Sequence, residues 1–141
     1  NSLLAYCLEI TTLISACELD EAVRDFYISA YFIPSTLNII RKKDTLKTKE
    51  VFNEFCKGWT NEKFVDTENI VSGIESASFM TKEEDTPLDV QIERALNAIM
   101  LLYNVPEEIR KNKIQKVLKM DYRSLSKRIL NDFKEYLLKI N

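Results

Sequence analysis

The clearest structural signals lie in the stretch 86-TPLDVQIERALNAIMLLYNVPEEIRKNKIQKVLKMDYRSLSKRILNDFKEYLLKI-140. Thr86-Pro87-Leu88-Asp89 predicts a helix start, because Thr caps helices, Pro fits the first helical position and an acid suits the first turn. Pro106-Glu107-Glu108 predicts a second start of the same kind. Asp121 can cap a third helix. The stretch therefore predicts three successive helices.

Apolar residues recur at helical spacing within these helices, which predicts that each helix buries one face. Leu96 and Ile129 are both expected in the core for this reason. The first stripe contains Val90, Ile92, Ala95, Leu96, Ile99 and Leu102, and the last contains Leu125, Ile129, Phe133, Tyr136 and Ile140.

The first half of the chain shows the same periodicity with weaker boundaries. A nearly all-round apolar helix runs from Leu3 to Cys17, and a striped helix runs from Leu19 to Ile33 and is ended by Pro34. Ser35 or Thr36 can then cap a short helix over Leu37, Ile39 and Ile40. Further helices are expected to open at Thr45 and at Asp66-Thr67-Glu68, the first stopping near Gly58, with the longest loop over residues 76–87.

These patterns predict an all-α protein with about eight helices, arranged as a right-handed superhelix or an orthogonal bundle. Alternation of period two never persists, so strands have little support. Residues 1–141 are expected to form a single interaction domain, in which residues 88–140 make a compact helical unit packed on the helices of residues 1–77.

Composition argues against several classes of function. The chain has no histidine, so the commonest general base is missing, and its two glycines stand alone, so a phosphate-binding loop is not expected. The three cysteines are odd in number and lie in apolar periodic segments, which is typical of reduced, buried thiols. No enzymatic activity, catalytic residue, metal, cofactor or small-molecule substrate is therefore expected. No run of about 18 apolar residues appears, so no membrane span is expected either.

Residues 109–128 contain eight Lys/Arg and one acid, Asp121, in a chain whose net charge is −2. A basic patch on an acidic protein is a candidate docking surface for an acidic partner. Lys113, Lys116 and Met120 are spaced to share one helix face, with Ile109 and Tyr122 as neighbours. These five residues are the predicted partner-binding site. The alternative is a solvated lysine face with Met120 tucked into the core.

Three phrases of the sequence resemble a known family. They are FVDTENIVSGIES, the long segment beginning TPLDVQIERAL and ending KNKIQKVLK, and SLSKRILNDF. Together they resemble the core of the transcription elongation factor family called "interacts with SPT six", whose C-terminal half belongs with the TFIIS N-terminal-domain helical bundles. The matching positions are Phe64, Asn69, Ile70, Val71, Ser72, Ile74, Leu88, Ala95, Leu96, Val105, Ile109, Arg110, Asn112, Ile114, Lys116, Val117, Leu125, Ile129 and Leu130. The chain departs from the family pattern at Lys113 and Gln115, where the family has glycines, and at Phe133, where it has Trp.

The resemblance implies a divergent, shortened, non-enzymatic nuclear factor. Such a factor would bind an acidic N-terminal segment of the histone chaperone SPT six, and through it act with elongating RNA polymerase II and chromatin. By the same resemblance, Lys116 and Met120 fall where the family contacts that segment. Two other classes stay open from the residues alone: a basic-faced module that binds nucleic acid or chromatin, and a helical scaffold for some other protein.

Overall fold

The computed structural model describes residues 2–140, and within that range the regular structure is entirely helical. Seven α-helices follow one another, with a single 3₁₀ turn at Asn53–Phe55 after the third. In chain order they are α1 (Ser2–Leu19), α2 (Glu21–Phe32), α3 (Pro34–Phe52), α4 (Asn61–Met80), α5 (Leu88–Leu102), α6 (Glu107–Leu118) and α7 (Tyr122–Ile140). The predicted all-α class is confirmed.

Several helix starts have the local chemistry that the backbone needs. The Asp20 carboxylate accepts from the Ala22 and Val23 N–H groups at the start of α2. Thr60 accepts from the Lys63 N–H at the start of α4. Asp121 accepts from the N–H of Ser124, which confirms its predicted role as the cap of α7.

Three predicted boundaries are wrong. The short helix over Leu37–Ile40 and the helix from Thr45 form one continuous helix, α3. Thr45 lies inside it, and its hydroxyl donates to the Arg41 carbonyl one turn earlier and caps no helix start. Asp66 opens no helix, because Thr60 has already capped α4 six residues before it. The loop predicted at residues 76–87 is shorter, because α4 continues to Met80.

The start of α5 also differs in detail. Pro87 occupies the N-cap, with no side-chain cap hydrogen bond, so Thr86 does not cap the helix. The Thr86 carbonyl instead accepts from the Gln91 side-chain amide at 2.7 Å. Position 58 behaves as expected of a helix-end glycine: Gly58 has φ +82°, in the turn that separates the 3₁₀ segment from α4.

Helix α1 is the centre of the bundle, since it contacts each of the other six α-helices. It is also long and apolar enough to cross a membrane by length and composition, which the sequence analysis did not expect. Of that span, 44% is buried inside the protein. Core helices of soluble proteins can have the same length and apolar composition, so these two properties are weak evidence for a membrane span. The buried face includes Tyr6, Cys7 and Ile14.

An aromatic cluster joins α1, α3 and α5 at the core. The Phe52 and Tyr103 rings stack with centroids 4.2 Å apart, and Tyr6 meets Phe52 edge-on at 5.1 Å. Trp59 closes the cluster from the loop before α4, against Phe64 and Tyr103. Around it, Ile92, Ala95, Leu96 and Ile99 of the predicted α5 stripe are buried, with Leu96 0% exposed. The two ends of that stripe, Val90 and Leu102, are only partly buried.

The stripe of α7 is largely outside the core, contrary to the prediction. Ile129 is 51% exposed, and Phe133 and Tyr136 are also exposed. Only the first part of α7 is held closely, with Tyr122 and Ser126 buried. The Ser126 hydroxyl donates to the Thr12 carbonyl of α1 at 3.2 Å.

The three cysteines are free and buried, as predicted. Burial raises the pKa of both Cys7 and Cys17 to about 12, and raises that of Cys56 as well. The Cys56 thiol donates to the Tyr103 carbonyl at 3.2 Å.

Candidate functional site

The predicted binding residues lie along α6 and its connection to α7, from Ile109 in the first turn of α6 to Tyr122 at the first residue of α7. Lys113 and Lys116 lie on α6, with Lys116 exposed and Lys113 partly buried. Met120 lies beyond the helix end, in the short connection to α7, and is 38% exposed. We call this surface the α6–α7 corner and define it by Ile109, Lys113, Lys116, Met120 and Tyr122.

The apolar members of the corner are more enclosed than its lysines. Ile109 is partly buried against the core, and Tyr122 is buried at the first turn of α7. The Arg123 guanidinium lies 5.9 Å from the centroid of the Tyr122 ring. Ile114 and Val117 are the buried residues of α6 and hold the helix against the core.

The corner and its surroundings keep an excess of free positive charge. Three of the eight Lys/Arg in residues 109–128 have partners: Arg110 bonds Asn97 and the Val105 carbonyl, Lys111 pairs with Glu107, and Arg123 pairs with Glu83 at 2.6 Å. No ion pair within residues 2–140 involves the remaining five, which are Lys113, Lys116, Lys119, Lys127 and Arg128. Their charge is available to a partner.

A mainly apolar groove of about 530 Å³ runs between α1, α2 and α7. The exposed stripe of α7 forms one wall and α2 the other, and the Lys134–Asp20 ion pair, 3.1 Å long, lies among the lining residues. The apolar lining includes Leu13, Val23, Phe26, Tyr27, Ile129, Leu130, Phe133 and Leu137. Most of the periodic apolar residues of α7 therefore line an open groove and are not buried in the core.

A second site lies in the interior and was missed by the sequence analysis. Carboxylate oxygens of Asp44 from α3 and of Glu68 and Glu75 from α4 all lie within 4.8 Å of one another. Glu68 is 1% exposed, Glu75 is buried, and Asp44 is partly buried. We call these three residues the buried carboxylate cluster.

Two tyrosine hydroxyls, one from α2 and one from the residue that follows α5, donate hydrogen bonds to the cluster. Tyr31 of α2 donates to Glu75 Oε2 at 2.6 Å, and Tyr103, which follows α5, donates to Glu68 Oε2 at 3.0 Å. The other oxygen of Glu68, Oε1, is buried with no hydrogen-bond partner. Buried polar atoms are nearly always paired, so this orphan oxygen requires an explanation.

Burial and mutual repulsion make the cluster hold protons tightly. Desolvation, with the neighbouring acids, raises the pKa of Glu68 to about 8. Desolvation also raises the pKa of Glu75 to about 7, although the Tyr31 hydrogen bond opposes the shift. The pKa of Asp44 is raised for the same main reason.

One signal in the sequence could have revealed the cluster. Phe64, Glu68, Val71, Glu75 and Phe79 are spaced by four and three residues, so they share one helix face, and the structure buries all five. Two acids at regular positions in a buried stripe indicate an interior polar site. The contribution of Asp44 could not be found this way, because it comes from another helix.

Comparison of the chain with family models, with curated proteins and with solved structures finds no match.

Proposed function

We propose that this chain is the non-enzymatic, protein-binding core of a nuclear transcription elongation factor. Its partner would be an acidic N-terminal segment of SPT six, held at the α6–α7 corner. The C-terminal helices would then adopt the TFIIS N-terminal-domain arrangement, and the contact with RNA polymerase II and chromatin would be indirect, through SPT six.

The observation that carries the proposal is the free charge of the corner. Lys113 and Lys116 have no acidic partner within residues 2–140, although the chain as a whole is acidic. An acidic segment supplies the missing charges and would be steered toward this end of the molecule.

Met120 supplies the apolar part of the same surface. Its side chain is flexible and polarisable, so it can pack against an aromatic residue of a docked segment. The resemblance places Lys116 and Met120 at the family's contact with SPT six, which agrees with their exposure here. An acidic segment with one aromatic anchor matches both features.

The first experiment is calorimetric titration of the chain with a peptide from the N-terminal segment of SPT six. Met120→Asp should weaken binding by several kcal/mol, because it places an unpaired charge where an apolar contact forms. The matched control is Met80→Asp at the end of α4, where the methionine is similarly exposed at 45%. Equal affinity of the Met120 variant and the parent protein would contradict the proposal.

The second experiment separates charge from packing. Lys116→Asp should slow association and change the salt dependence of binding, whereas Met120→Asp should mainly speed dissociation. Lys57→Asp, at an exposed lysine in the turn before α4, controls for a change in overall charge.

The competing function is nucleic-acid binding through the same five free Lys/Arg. Its signature is a log affinity that falls steeply and linearly with log salt, without competition from the peptide. That result with duplex DNA or RNA, together with no peptide binding, would replace the proposed function.

A further inference from the structure

We propose that Asp44, Glu68 and Glu75 form an interior binding site for a divalent cation of the calcium type. The site lies between α3 and α4 and is bounded by tyrosines from α2 and from the end of α5. It is separate from the α6–α7 corner, so it stands or falls independently of the proposed function.

The donor set selects the class of cation. All three candidate ligands are carboxylate oxygens, and the nearest side chains are tyrosine hydroxyls, so no nitrogen or sulfur donor takes part. Hard cations such as Ca²⁺, Mg²⁺ and Mn²⁺ prefer such ligands, whereas zinc and copper prefer histidine and cysteine.

The spacing admits a bound ion of this class. The three oxygens lie within 4.8 Å of one another, and two oxygens bound to one Ca²⁺, with bonds of about 2.3–2.6 Å, can be no more than roughly 4.6–5.2 Å apart. Calcium also accepts flexible geometry, whereas magnesium demands a near-ideal octahedron, so calcium is the cation to test first.

The unpaired oxygen of Glu68 also points to a bound cation. Tyr31 and Tyr103 each bond the Oε2 atom of a glutamate, and Glu68 Oε1 is left without a partner in a side chain that is 1% exposed. A buried carboxylate oxygen without a partner is costly. A cation at the centre of the cluster would satisfy it directly.

The surrounding basic groups do not neutralise the cluster. Arg41 uses its Nε to bond the Ser72 hydroxyl at 3.0 Å, and Lys47 pairs with Glu9 at 2.5 Å. No salt bridge within residues 2–140 joins a Lys or Arg to Asp44, Glu68 or Glu75, although Arg41, Lys43 and Lys47 are close enough to influence their titration.

Asp44 provides the route for entry. It is partly buried, whereas Glu68 and Glu75 are buried, so the cluster reaches solvent on the α3 side. Water can complete the coordination from that side, as calcium requires six to eight oxygen ligands.

Protons compete for the same oxygens. A carboxylate must lose its proton to bind a metal, so binding of the cation should release protons and should weaken as the pH falls.

The test begins with protein that has been stripped with a chelator. Titration with Tb³⁺, a calcium mimic, should give luminescence sensitised by tyrosine, because Tyr31 and Tyr103 bond directly to the glutamates. The titration should saturate at one Tb³⁺ per chain. Added Ca²⁺ should then displace the Tb³⁺ and remove the luminescence. In parallel, Ca²⁺ at about 100-fold above its dissociation constant should raise the melting temperature by roughly 5 °C or more.

Two variants remove ligands while preserving shape. Glu68→Gln and Asp44→Asn should each abolish the luminescence and the thermal shift. Asp44 lies at the mouth of the site, so Asp44→Asn tests the proposal even if a change at Glu68 disturbs folding. Glu84→Gln and Asp85→Asn, at exposed acids after α4, are the matched controls and should bind like the parent.

The proposal is overturned if the stripped parent binds neither Ca²⁺, Mn²⁺ nor Tb³⁺ at millimolar concentration. It is equally overturned if Asp44→Asn and Glu68→Gln, folded by circular dichroism, bind as tightly as the two controls.

Discussion

The α3–α4 interface and the α6–α7 corner both gather charge of one sign, but they place it in opposite environments. At the interface, Glu68 and Glu75 are buried, so their charged forms are disfavoured and protons or a cation must compensate. At the α6–α7 corner, Lys116 is exposed, so its ammonium group is solvated by water. Inside the protein, like charges mark a site because burying them together is unfavourable. At the surface, they mark a site because they are accessible to a charged partner.

The pH dependence of stability gives the largest expected effect. The folded-state pKa values of Glu68 and Glu75 lie above those of the unfolded chain, so the folded protein binds more protons. Their contribution is fully present below about pH 4.5 and is lost as pH rises through about 7 and 8. In the absence of divalent cations, stability should fall between about pH 5 and pH 9 by on the order of 5 kcal/mol.

Urea unfolding of chelator-treated protein at several pH values measures this slope. Glu68→Gln, which cannot ionise, should flatten it, whereas Glu84→Gln should not. A parent protein whose stability is constant across this range would mean that the glutamates are better solvated than the structure indicates.

The contrast between interior and surface extends to apolar residues. Leu96→Ala should cost about 2–5 kcal/mol, because the side chain is 0% exposed and its removal leaves a cavity. Ile129→Ala should cost less than about 1 kcal/mol, because the side chain is half exposed on α7. Equal losses at the two positions would show that the groove beside α7 is closed in solution.

The smallest expected effect concerns the paired charges beside the corner. Arg123→Ala breaks an exposed ion pair with Glu83 and should cost less than about 1 kcal/mol. Lys116→Ala removes a charge without a partner and should leave the melting temperature unchanged. A larger loss at Lys116 than at Arg123 would show that Lys116 has a structural role and is not free for a partner.

The sequence predicts helix type well and helix limits less well. Periodicity identified the helical class, and short-range chemistry identified the Asp121 cap, since both depend on neighbours in the chain. The prediction of a helix start at Thr45 is wrong because a threonine hydroxyl can also bond a backbone carbonyl inside a helix, as Thr45 does.

Burial depends on contacts that a single sequence does not contain. The stripes containing Leu96 and Ile129 look alike in the sequence, yet other helices cover the first, whereas the second faces a groove. Asp44 gives no sign of its proximity to Glu68, because the packing of α3 on α4 brings them together. The binding role of Lys113, Lys116 and Met120 stays a prediction, although their placement at one corner is compatible with it.

The buried thiols have a practical consequence for measuring these surfaces. Thiol-reactive dyes attack the thiolate, which Cys7, Cys17 and Cys56 rarely form because burial raises their pKa values. A cysteine introduced at the exposed position of Lys116 would then be the fast-reacting thiol of the folded chain. A fluorophore could be attached to the α6–α7 corner in one step, with all three native cysteines left in place to report unfolding by their later reaction.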